Sequence, residues 1–364
     1  MQRRLASTRI ACRSQIPGVR CLIVLCSLSH PIPFSPMKKT LPALFAAALV
    51  FSACDSQSPS EVQTRASDDS GLSPVVVADF SSASKNGDDV SPFLVAVNEQ
   101  LAAAGANFAV AKAEYVTSPD GGEAGQTVFA FNRTLRLSSK WVPNDDRRLA
   151  DGDNITYMSS QLLGLNFANG SIDSEPIVDA TFGTYGSTAC NALPLVKRPD
   201  PGVWPSAILA LNGSPGDPFV ADIVTLGFLP GSIFDLVLGP GASNNVLGVT
   251  FTYIFGSFDG GGNFTPSDVD NNGRTDTALK EVWYNDAFAW TDTGVGGIDI
   301  ETVALHENGH ALEMGHFGKV AVTGNGKLHV SPRAVMNAFI LGVQRDLLGT
   351  DNASYCGNFA SWPN

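Results

Sequence analysis

The sequence predicts one mixed α/β domain over residues 91–364, behind a leader and a tether, and three observations predict it. Beyond residue 91, strand-like apolar runs alternate with stretches of helical spacing and with Gly, Pro and Asn turn signals. Three of the five histidines fall in one late stretch of helical spacing, His306 to His316. The front of the chain differs in kind from the rest: residues 1–54 hold seven of the 23 Lys and Arg and no acid, so the remainder carries 16 basic against 35 acidic residues, a formal charge of −19. A body that acidic is a poor nucleic-acid binder and suits an exported protein that takes up divalent cations.

Met37-Lys38-Lys39-Thr40 begins a short basic region, residues 41–51 form an apolar run, and Ser52-Ala53-Cys54 closes it. This is the pattern of a secretory signal peptide over residues 37–54, too short to span a bilayer as a mature helix. Phe51-Ser52-Ala53-Cys54 resembles the lipobox of bacterial lipoproteins, which implies a lipidated Cys54 that anchors the protein to a membrane of the cell envelope. An ordinary signal cut nearby, with Cys54 incidental and the protein secreted, is the alternative. Residues 1–36 lie upstream of a complete signal without turn or core pattern, and are expected to be an upstream extension of the gene model. Residues 55–90, rich in Ser, Asp and Gln, read as a flexible tether, with a prodomain as the rival.

Ser91-Pro92 has the form of an N-cap and first helical residue, so a helix is expected over residues 93–104 with Gly105 as its stop. Residues 107–117 and 127–137 carry strand-like runs, and 154–167 is a further apolar stretch ending at the turn dipeptide Asn169-Gly170. Ser174-Glu175-Pro176 starts a second helix, with Ile177, Ala180 and Phe182 or Tyr185 on one side. Four of six cysteines lie in the leader or at its end, so the body keeps Cys190 and Cys356. In an oxidising compartment the lone pair is expected to form a disulfide, two separate buried thiols being the alternative. A short helix within residues 346–360 would present Cys356.

The stretch His306-Glu307-Asn308-Gly309-His310-Ala311-Leu312-Glu313-Met314-Gly315-His316 concentrates metal-ligand side chains. Four residues apart on a helix, His306 and His310 leave one face and can reach one ion. Glu307, offset by about 100°, can hydrogen-bond a water on that ion without ligating it. A surface helix that happens to carry two histidines is the bland alternative. The stretch resembles the HExxHxxGxxH signature of the metzincin metallopeptidases, and its flanks resemble the matrixin branch. Asp299-Ile300-Glu301-Thr302-Val303-Ala304-Leu305 leads in, and Val335-Met336-Asn337-Ala338 stands where a Met-turn belongs.

That resemblance implies an α/β (α+β) zincin-like fold: a twisted, mostly parallel sheet with an antiparallel edge strand, an active-site helix and a Met-turn. Residues 221–224 resemble the third strand, 246–255 the antiparallel edge strand lining the cleft, and 279–285 the next strand. Met336 would form an apolar floor beneath the metal, with plain core packing as the alternative, and Ala338 leaves no phenol ligand. Residues 55–90 hold no Cys that could cap a zinc. Residues 317–329 are expected to be a Gly-punctuated loop in which His329 is a loop histidine. The signature departs from the family at one position, where its Gly is Glu313. Since Glu resists positive φ, the bend is expected elsewhere, with Gly315 on hand. His316 is the expected third ligand, and Glu313, three residues past His310, is the alternative carboxylate ligand.

In Asp268-Val269-Asp270-Asn271-Asn272-Gly273-Arg274-Thr275-Asp276, oxygen-bearing side chains recur every second residue before a Gly, like the front half of an EF-hand loop. Asp268, Asp270, Asn272 and Asp276 are the candidate calcium ligands. Leu279 stands where the closing Glu would be, and an Asx-rich turn is the alternative. These readings together predict a zinc-dependent endopeptidase acting on protein or peptide substrates, with Glu307 as general base and a structural calcium. A non-catalytic, metal-stabilised surface lipoprotein is the rival.

Overall fold

A computed structural model describes residues 77–79 and 90–364, apart from 122, 133–137, 150–151, 191, 209–215, 323–327 and 364. The leader, Cys54 and most of residues 55–90 lie outside the described residues. No described helix is long and apolar enough to cross a membrane.

Seven strands form the path of the main sheet: β1 (Phe108–Thr117), β2 (Thr127–Phe129), β3 (Ile155–Ser159), β4 (Leu195–Lys197), β5 (Ile223–Leu229), β6 (Val246–Phe258) and β7 (Thr275–Asn285). Their order is β2-β1-β6-β7-β5-β3-β4. From β7 through β5 and β3 to β4 all pairings are parallel, whereas β6, β1 and β2 pair antiparallel. Short strands at Phe264–Pro266 and Ser139–Lys140 pair with β6 and β7.

Every residue of β5 and β7 is buried, as expected of strands covered on both faces. Alternation then sorts their side chains. Val282 and Tyr284 enter one core, with Phe182 and Tyr185 of α2 (Glu175–Gly186), Val303 to Leu305 of α5 (Ile300–Ala311) and Tyr355 of α6 (Gly349–Phe359). Trp283 faces the other core, against Leu94 and Val97 of α1 (Pro92–Ala103), Phe234 of α3 (Gly231–Leu238) and Ala242 of the short α4 (Ala242–Asn245). Packed against the first core and partly buried is the disulfide Cys190–Cys356, 166 residues apart in sequence, tying α6 to the segment after α2.

Local signals placed the helices well. Ser91 caps α1, its Oγ accepting from Leu94 N, and Gly105 follows at φ 72°. The buried side of α2 carries Phe182 and Tyr185 as expected, with Val178 and Thr181 beside them, whereas Ile177 is half-buried and Ala180 exposed. Two loop expectations are corrected as well. Within residues 317–331, Lys319–Val322 and Leu328–Ser331 form an antiparallel hairpin, so His329 belongs to a strand. Val77–Asp79, within the expected tether, adds to that hairpin as a third strand.

The largest correction concerns residues 246–255. They are antiparallel, as the resemblance implied, yet they are not an edge: β7 pairs along one side of β6 and β1 along the other. The partner that covers the edge comes from far upstream, where strand periodicity was visible but its pairing was not.

Candidate metal centre

The centre is assembled on α5, which starts where Asp299 accepts from Thr302 N at 3.0 Å and is itself gripped by Arg345. Residues 302–311 are all buried. One turn of helix brings His306 and His310 to one face, and the chain then reverses to bring back His316. The Nε2 atoms of His306, His310 and His316 lie 3.0 to 3.1 Å from one another.

Their other nitrogens decide what those contacts mean. His306 Nδ1 lies 2.7 Å from Val335 O, and His310 Nδ1 lies 2.8 Å from Met314 O. A carbonyl accepts only, so both Nδ1 atoms carry the hydrogen and both Nε2 atoms present bare lone pairs. Two lone pairs at 3.0 Å repel unless a cation sits between them. Burial pushes His306 down to about 4, and burial with the neighbouring imidazoles holds His310 and His316 well below the ordinary value, so all three are neutral near pH 7. This is the donor set a divalent cation takes up.

Met336 lies under the helix, wholly buried, against Gly309: a Cβ there would come 2.3 Å from Met336 Sδ and 2.6 Å from the Tyr185 hydroxyl oxygen. The turn carrying Met336 is held by Asp351 of α6, whose Oδ2 accepts from Val335 N at 2.9 Å and whose Oδ1 accepts from Met336 N at 3.1 Å. Asn337 Nδ2 donates to Phe317 O, next to His316. One turn therefore orients His306 through Val335 O and steadies the chain that carries His316.

Glu307 points from α5 toward β6. Its Oε2 accepts from Thr250 Oγ1 at 2.7 Å, its Oε1 is buried without a hydrogen-bond partner, and a Cβ on Gly248 would come 2.8 Å from its Cγ. Burial raises its proton affinity well above that of an ordinary carboxylate, and the charge of Glu114 adds to the effect.

Glu313 overturns the expectation for the bend. It takes φ 61° itself, and Gly315 does not have positive φ. A non-glycine residue there costs roughly 1–2 kcal/mol, offset here by anchoring: Glu313 Oε1 accepts from Thr277 Oγ1 at 2.5 Å and Oε2 from Ser139 Oγ at 3.0 Å, with Lys280 Nζ at 3.3 Å. The carboxylate is thus spent on β7 and Ser139, and the imidazole of His316 joins the cluster.

Three residues at the centre were missed by sequence reasoning. Lys280, fully buried, donates to Thr252 Oγ1 at 3.0 Å and to His310 O at 3.2 Å. The signal was present, since a Lys between Leu279 and Val282 in a buried run needs a partner. Asp351 and the buried Glu114, whose Oε2 lies 3.8 Å from His310 Nδ1, left no local signal.

In the acidic loop, carboxylate oxygens of Asp268, Asp270 and Asp276 lie within 4.8 Å of one another, and Gly273 makes the turn at φ 77°. Asp276 is also bound by Arg147 Nη2 at 2.7 Å. Asn272 Oδ1 accepts from Arg274 N, while its Nδ2 donates to Asp270.

Fold and cluster together define a mixed α/β protein with a histidine triad, His306 and His310 buried and His316 half-buried, that could hold a cation. No protein-family model matches the chain, and no curated protein matches it.

Proposed function

We propose that the protein is a zinc-dependent endopeptidase of metzincin type. The observation that carries this reading is the convergence of three Nε2 atoms, two with bare lone pairs, beside a buried carboxyl group on the same helix. Neutral imidazoles fit zinc, and His306, His310 and His316 would hold it, the distant nitrogens of His306 and His310 oriented by backbone carbonyls. Zinc bound there would acidify a water and polarise the scissile carbonyl. Glu307, with its raised proton affinity, takes the proton of the attacking water and passes it to the leaving amine. Thr250 fixes one carboxyl oxygen and leaves the other for this task.

Purified protein is expected to bind one zinc per chain, and His306→Ala or His310→Ala to lose it. Retention of stoichiometric zinc in both variants, read by metal analysis, would remove the ligand assignment.

A second reading, a non-catalytic metal-stabilised lipoprotein anchored through Cys54, is favoured by the covered edge of β6, where an added substrate strand has no place. Export, by lipid anchor or by secretion, belongs to both readings and rests on the leader sequence. Calcium at Asp268, Asp270, Asn272 and Asp276 is part of the proposal too, supported by the convergence of the three carboxylates. Calcium at a hundredfold excess over Kd would stabilise by about 2.7 kcal/mol. Millimolar calcium should therefore raise the melting temperature of the wild type and not of Asp270→Ala, whereas equal shifts would place the ion elsewhere.

A further inference from the structure

Four buried polar atoms that lie along one face of the sheet have no hydrogen-bond partner among the described residues: Glu307 Oε1, the Tyr284 hydroxyl, Thr225 Oγ1 and Ser159 Oγ. Strand register sets them side by side. Tyr284 of β7 stands opposite Gly248 of β6, and a Cβ on Gly248 would come 3.0 Å from Glu307 Oε1. Thr225 of β5 stands opposite Val282 of β7 on one side and Ser159 of β3 on the other. Alternation turns all of them to the α5 face. Tyr284 belongs to the core shared with α5, as do Ile223 and Tyr157, two residues before Thr225 and Ser159.

The row has a direction. Burial, and then the nearby charge of Glu307, raise the proton affinity of Tyr284 far above that of an ordinary phenol, with the Thr225 hydroxyl pulling the other way. Tyr284 is therefore a donor that feels Glu307 and Thr225 together. At its far end the row leaves the paired sheet: β4 pairs with β3 only from Ile155 to Tyr157, so Ser159 lies past the last pairing and two residues before the exposed Gln161. A buried polar atom without a partner is costly, and those that protein atoms do not satisfy are met by ordered water with several polar partners. This row offers three hydroxyls, which both donate and accept, and ends on a carboxyl oxygen.

We propose that a file of ordered water joins Ser159, Thr225 and Tyr284 to Oε1 of Glu307, and that Tyr284 is thereby a positioning residue for Glu307. Thr250 holds one oxygen of the carboxyl group, and the file takes one lone pair of the other, leaving its second lone pair for the triad side. Held at both oxygens, the carboxyl plane does not rotate. The effect on turnover rests on the peptidase reading, whereas the water file does not.

The test uses the full chain, zinc-loaded. Thr225→Val and Tyr284→Phe each remove a hydroxyl and keep the shape, so the sign of the stability change separates a hydrated row from a dry one: losing a satisfied hydroxyl should raise the unfolding equilibrium constant about tenfold, and losing an unsatisfied one should lower it. In denaturant titration, Tyr284→Phe combined with Glu307→Met should fall at least about fivefold short of the product of the single effects, because the two residues share water. A crystal structure should show an ordered water within hydrogen-bond distance of both Glu307 Oε1 and Tyr284 Oη. Single variants as stable as the wild type or more so, a multiplicative double variant, or a dry row each overturn the proposal. In hydrolysis of a quenched unstructured peptide, kcat should fall at least about tenfold in Tyr284→Phe, with KM and zinc content unchanged. An unchanged kcat overturns the positioning role. A wild type that hydrolyses no peptide overturns the peptidase reading alone, and the coupling between Tyr284 and Glu307 then decides the proposal.

Discussion

Glu307→Gln should lower peptide hydrolysis by about 10²–10⁴-fold, the usual contribution of a general base, while zinc stays at one per chain. Steady-state turnover of a quenched unstructured peptide, read alongside metal analysis, measures both. The expectation follows from where the side chain lies. It is next to His306 on α5 but directed at β6, with Oε2 on Thr250 and its Cγ over Gly248, so it is placed beside the triad and outside it. The amide keeps the shape and cannot take a proton. Equal rates in both proteins would take the base away from Glu307, and a loss of zinc in the variant would make Glu307 part of the metal's own support.

Lys280→Met should destabilise the fold by about 3–5 kcal/mol, the cost of breaking a buried ion pair from one side. The variant leaves Glu313 in a nearly dry site, with Ser139 and Thr277 as donors but without its cation. Lys280 also caps His310 O, as Trp141 Nε1 caps Ala311 O and Asn358 Nδ2 caps Glu313 O, so the end of α5 is held by side chains at three successive points. With one removed, the turn at Glu313 loosens and zinc affinity should fall with stability. The double variant Lys280→Met/Glu313→Gly should recover much of both, since Gly accepts φ 61° freely and neither charge of the pair remains. Denaturant titration and chelator competition read the two effects. A single variant as stable as wild type would show the pair to be dispensable.

Much of the centre was legible because its chemistry is local. His306 and His310 are one helical turn apart, Asp299 marks the start of α5, and Val335-Met336-Asn337-Ala338 marks the turn below, so their relations survive in linear spacing. Cysteine counting reached the disulfide by elimination. The choice of His316 over Glu313 was left open by spacing. In the structure the His316 imidazole joins the other two while β7 and Ser139 draw the Glu313 carboxylate away, and the nearest of those partners is 33 residues off in sequence.

By itself the sequence determined the helical register of His306, Glu307 and His310 and the cap of α1, because each follows from side-chain period and local hydrogen-bonding capacity. Only the tertiary structure decided that Glu313 adopts φ 61°, that Lys280 and Asp351 hold the two turns of the centre, and that β1 covers β6. A strand's periodicity tells which residues face inward but not which edge it will join. That edge is chosen by the free energy of main-chain pairing and core contacts among segments more than a hundred residues apart, and no local pattern records it.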